Sequence, residues 1–157
     1  MSFPEDLLEQ AYELAAKEPG EPKQASLRRT VSTAYYALFH LLIDEAVGKW
    51  AIERQRSRLA RSFEHDAMKR KCAEVVKRVK DGARIPVELN TVAHNFVQLQ
   101  DRRHTADYDN SMRWSRADVN VVLNLATDAF DAWSAIGRHD DAQDFLSQLL
   151  FPKLPRQ

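Results

Sequence analysis

The sequence predicts an all-α protein, an up-and-down bundle of four main helices with one or two short extra helices. Three observations predict it. Apolar residues recur at spacings of three and four nearly throughout, alternating β-branched runs are absent, and only four glycines and six prolines punctuate 157 residues. A chain of 157 residues suffices for one domain and is too short for two comfortable ones, so 1–157 is read as a single domain.

The elements follow in order. The first helix begins near Pro4, a favourable first-turn residue backed by Glu5 and Asp6, and Pro19-Gly20 stops it. The second runs from about Pro22 to Gly48; its middle, VSTAYYALFHLLI, is apolar nearly all round, as a helix contacted on several sides requires. From Glu53 to about Asp81 a short helix or turn is followed by a helix from about Phe63, with Met68, Cys72, Val75, Val76 and Val79 in one stripe. Gly82 and Pro86 introduce a helix to about Arg103. Ser115 and Asp118 have the spacing of a capping box ahead of VNVVLNLATDAFDAWSAI, and a short helix, Asp140 to Leu150, ends before Pro152.

Lys plus Arg equals Asp plus Glu, so net charge gives no general argument for a polyanionic partner. The balance is local, however. Arg54 to Arg84 holds eleven basic residues, among them Arg58, Arg61 and Arg70, against four acidic ones. This segment is either a solvated helix face or a polyanion-facing surface. The acidic start MSFPEDLLEQ lacks signal-peptide order, and no apolar run is long enough to span a bilayer, so a cytoplasmic protein without membrane contact is expected. Cys72, the lone cysteine, reads as a small core hydrophobe. The apolar faces of the second helix and of VNVVLNLATDAFDAWSAI exceed what four helices usually hide. That surplus predicts a homodimer, with residues such as Trp133 in a symmetric interface.

QDRRHTADYDN, Gln100 to Asn110, concentrates charge where an apolar helical pattern runs out. Three blocks, SLRRTVSTAYYALFHLLIDEA (Ser26 to Ala46), ARSFEHDAMK (Ala60 to Lys69) and LQDRRHTADYD (Leu99 to Asp109), resemble the HEPN superfamily in its branch with R-x-x-A-D-Y. The resemblance spans about Pro4 to Ala135. It implies a HEPN-like bundle that dimerises and associates with RNA or a nucleotide. One form is a binding or regulatory module in a two-component system, such as a toxin–antitoxin pair or a pairing with a nucleotidyltransferase-type protein. The other is a metal-independent endoribonuclease. No cofactor or metal is expected.

Active members of that superfamily carry R-x(4–6)-H, and the resemblance places the arginine at Arg103. No histidine stands at the required distance beyond Arg102 or Arg103; Tyr108 lies there instead. The catalytic candidates are therefore Arg103, His104, Asp107 and Tyr108, and Arg102 joins Arg58, Arg61 and Arg70 as a candidate RNA contact. Imidazole is the side chain suited to the proton transfer of RNA cleavage; in its absence Asp107 could accept a proton, Tyr108 is a poor acid or base, and His104, one residue on from Arg103, points about 100° away if the turn stays helical. The architectural alternative pairs Arg103 with Asp107 one turn later and lets the Tyr108 ring cap the bundle. Arg58 and His65 match the histidine spacing literally, but fifteen arginines and five histidines make such a match expected by chance. His40 reads as a core histidine beside Tyr35 and Tyr36.

Overall fold

Capping and burial explain where each helix starts and stops. The computed structural model describes residues 1–155 and contains α1 (Phe3–Ala15), α2 (Gln24–Val47), α3 (Glu53–Ala60), α4 (His65–Lys80), α5 (Val87–Tyr108), α6 (Arg116–Ile136) and α7 (Asp140–Leu150). No strand occurs among the described residues. Five of these helices have thirteen or more residues, one more than the four main helices expected. No helix among the described residues is long and apolar enough to cross a membrane.

Ser2 caps α1: its hydroxyl accepts from the Glu5 N–H while the Glu5 carboxylate accepts from the Ser2 N–H, so the start is set one step before the Pro4 signal. The expected box at Ser115 and Asp118 is present ahead of α6. Gly82, at φ +91°, ends α4 in a Schellman motif. The Ala83 N–H bonds the Arg78 carbonyl at 2.9 Å and the Gly82 N–H bonds that of Val79 at 3.1 Å.

The all-round apolar character of α2 has a direct cause, since α1, α3, α5, α6 and α7 all pack on it. Leu27, Val31, Ala34, Tyr35, Leu38 and Leu42 are all but sealed from solvent. Each of the leucine and valine side chains among them contributes roughly 1.5–3 kcal/mol relative to exposure. Met68, Cys72 and Val75 form the buried stripe of α4, whereas α3 buries nothing. Trp133, expected in a symmetric interface, is instead 4 % exposed and belongs to the same core cluster as Val31 and Phe96, whereas Val121 on the same helix is 48 % exposed.

α5 also departs from expectation. It continues past Arg103 to Tyr108 because Ala106 carries the apolar stripe one turn further and Arg28, on α2, grips the turn that follows. The Arg28 guanidinium donates to the carbonyls of Ala106 (2.8 Å), Asp109 (3.0 Å) and Met112. Gln24 adds a two-way bond to the backbone of Trp114, donating to its carbonyl at 2.8 Å and accepting from its N–H at 2.9 Å. The charged end of α5 is thus ordered helix tied to α2.

Candidate functional site

Because DRRHTADY is helical, its residues divide between faces. Arg103 and Ala106 turn inward; His104 and Tyr108 turn out, with their rings 4.9 Å apart. Tyr108 is 68 % exposed and caps nothing. Arg102, half-buried, donates to the Gln98 side chain at 2.8 Å and stands apart from Arg103. The four catalytic candidates fall into two pairs on different faces, Arg103 with Asp107 and His104 with Tyr108.

Arg103 is 8 % exposed. Its guanidinium carbon lies 5.0 Å from the Tyr35 ring centre and 5.8 Å from that of Tyr36, within cation–π range of both. Its Nη1 is 3.6 Å from Asp107 Oδ2, and its Nε is buried without a partner. The other Asp107 oxygen accepts from the Ser32 hydroxyl. A buried guanidinium with one long ionic contact and an unused donor is poorly compensated for lost hydration. Such a group is equipped for an anion that approaches past half-buried Tyr36 and exposed Asp107.

The same aromatic floor holds a histidine. Tyr35 Oη is 2.6 Å from His65 Nδ1 and 2.9 Å from Gln100 Oε1, and the Gln100 amide nitrogen is 3.2 Å from Asp66 Oδ1. Donor direction follows from the far end of this chain. The Gln100 NH₂ donates to the Asp66 side-chain oxygen, which turns the Gln100 carbonyl towards Tyr35. Tyr35 must then donate to Gln100, which leaves its oxygen to accept from His65 Nδ1–H. The remaining nitrogen, Nε2, carries a bare lone pair. Burial, followed by the nearby Arg103 charge, lowers the His65 pKa below its ordinary value, and the ring stays neutral near pH 7. Burial pushes the Tyr35 hydroxyl up despite Arg103, so it remains protonated. Phe39 stacks on His65 at 4.3 Å and 25°.

A fixed cation next to a neutral imidazole can bind a phosphate and accept a proton. Sequence reasoning located the cation and missed Ser32, Tyr35, His65 and Gln100. His65 lies within the ARSFEHDAMK block, but its spacing from Arg58 is irrelevant: Arg58 is exposed on α3, and the contact of His65 is Tyr35. His40 is half-buried, packed edge-on against Phe3 at 5.0 Å and Phe39 at 5.3 Å, and burial lowers its pKa.

Arg58, Arg61 and Arg70 are exposed and have no ion pair among the described residues, whereas nearby Lys69 and Lys71 are engaged by Asp101 and Glu74. Among the described residues no three His, Cys, Asp or Glu side chains are placed to hold a metal ion. No family model, curated protein or solved structure matches the chain, so the functional argument rests on this geometry.

Proposed function

We propose that the chain is a HEPN-like binding and regulatory module for RNA or a nucleotide, acting as a homodimer and as one half of a two-component system. Its counterpart in that reading is a nucleotidyltransferase-type protein or the other member of a toxin–antitoxin pair. The observation that carries the proposal is Arg103, sunk between two tyrosines with Nε unused and a neutral His65 on the same floor. Phosphate is the chemistry that such a group recognises, and the unpaired arginines of α3 and α4 supply longer-range attraction.

His65 favours a second reading, a metal-independent endoribonuclease with an altered active site, because it supplies the imidazole that the α5 motif lacks. The test is anisotropy of a labelled single-stranded RNA at low salt, with the same RNA resolved on a gel after incubation. Saturable binding without cleavage, relieved by a nucleoside monophosphate, is the expected result. Cleavage that His65→Gln abolishes would move the assignment to the nuclease. Absence of any binding at low salt would remove both.

A further inference from the structure

A concave site elsewhere on the molecule shares no residue with the Arg103 constellation. It is a cleft of about 210 Å³ between α4 and α7, floored by Val75, Ile85, Leu89 and Phe145. The two helices touch only sparingly, and the gap between them carries opposite charges on its two sides. One wall holds Arg78 of α4 and Arg84 of the following turn; neither guanidinium has a carboxylate within ion-pair distance among the described residues. Lys71, on the same wall, is occupied by Glu74 at 3.3 Å. The facing wall holds Asp140, Asp141 and Asp144 of α7; among the described residues only Asp141 of these has an ion-pair neighbour, His139 at 3.6 Å.

The uncharged part of the lining adds an independent observation. Gln148 is 7 % exposed, lines the cleft, and its amide nitrogen is buried without an acceptor. An unpaired buried donor is costly unless something supplies an oxygen. The apolar floor lowers the local dielectric and strengthens any charge contact made above it. A purely anionic ligand would face three α7 carboxylates besides the Lys71-paired Glu74, a purely cationic one two guanidiniums besides Lys71, and an apolar one would strand both walls.

We propose that the cleft binds a small zwitterion with an anionic group at one end and an ammonium group at the other. The anion sits on Arg78 and Arg84, the ammonium among Asp140, Asp141 and Asp144, and an oxygen of the anionic end accepts from Gln148. This site is independent of the phosphate reading above, and either can fail without the other.

The test uses the full chain and the series of ω-amino acids from glycine to 6-aminohexanoate, titrated at low salt and followed by calorimetry and amide NMR. Two-ended recognition predicts saturable binding with one best length and a shift of the Gln148 side-chain amide. The carboxylic acid and the alkylamine of matched length should each bind at least about tenfold more weakly than the best zwitterion. Arg78→Gln and Asp144→Asn lie at the cleft wall outside the core, and each should weaken the best ligand by about tenfold or more with helicity unchanged. Arg103→Met should bind the series as the parent does. The proposal is overturned by no saturation up to about 10 mM, by affinity independent of length, by monopolar analogues that bind equally well, or by dependence on Arg103.

Discussion

Replacing Arg103 by Met separates a ligand-binding arginine from an architectural one. Methionine keeps a long apolar stem in the space beside Tyr35 and removes the charge and every donor. The cation–π contacts at 5.0 and 5.8 Å are lost, about 1–2 kcal/mol together. The 3.6 Å pair with Asp107, whose side chain is 32 % exposed, adds about 0.5 kcal/mol to the loss. Against this, the substitution relieves a buried charge and the unpartnered Nε, which cost about 1–3 kcal/mol. The terms nearly cancel. Stability should change by no more than about 1 kcal/mol, a Tm shift of about 2–4 °C. Arg103→Ala is less informative, because emptying a buried site of this size costs about 2–5 kcal/mol whatever the arginine does. Urea unfolding followed by circular dichroism gives the stability, and RNA anisotropy at low salt gives the binding. Binding should weaken by about 1–3 kcal/mol, the range for a charged hydrogen bond. If Arg103→Met loses more than about 3 kcal/mol of stability and binding per folded molecule is intact, the arginine is a structural anchor and the reasoning fails.

Four other outcomes are expected. Replacing Arg58, Arg61 and Arg70 together by Ala should flatten the dependence of log RNA affinity on log salt by about 0.7 per lost phosphate contact, and an unchanged slope would make that surface mere solvated helix. Burial holds both His65 and His40 below the ordinary histidine pKa, so the unfolded chain takes up protons before the folded one does. Stability should therefore fall as pH drops from about 6.5 towards about 5. His65→Gln should remove part of this decline and leave the share of His40; urea midpoints across that range that do not differ from those of the parent would refute a buried neutral His65. Gly82→Ala forces an L side chain to φ +91° and should cost about 1 kcal/mol, read as a lower Tm. Sedimentation equilibrium at micromolar concentration should show a dimer, and a lone 18.1 kDa species would exclude it.

What could be read in advance was local. The Ser115–Asp118 box, the limits of α7 and the Met68–Cys72–Val75 stripe depend on residues three or four apart, and so does the Arg103–Asp107 pair. Ser2 with Glu5 was equally legible in kind, although Pro4 drew attention to the next position. The extension of α5 was not legible, because the Arg28 side chain that grips its end lies 78 residues from Ala106. The site suffered from the same distance effect. An aromatic residue in the apolar middle of α2 predicts core, and Tyr35 is core; nothing in its periodicity says that its hydroxyl meets a histidine on α4 and a glutamine on α5. Trp133 shows the opposite case: its place on a broad apolar face predicts an interface, but whether such a face is covered by the protomer's own helices depends on long-range packing, and it is buried in the core.

The sequence separations within the site also set an order of events during synthesis. Tyr35 and His65 are 30 residues apart, Tyr35 and Gln100 are 65 apart, and Ser32 and Asp107 are 75 apart. Each closure costs more chain entropy than the last, and none can precede emergence of its later partner from the ribosome. Until α5 and α6 are made, α2 has only its early neighbours for cover and leaves apolar surface on several sides. A nascent chain halted before Arg103 would therefore be a chaperone client that carries the exposed arginines Arg58, Arg61 and Arg70 but lacks the Arg103 anion site.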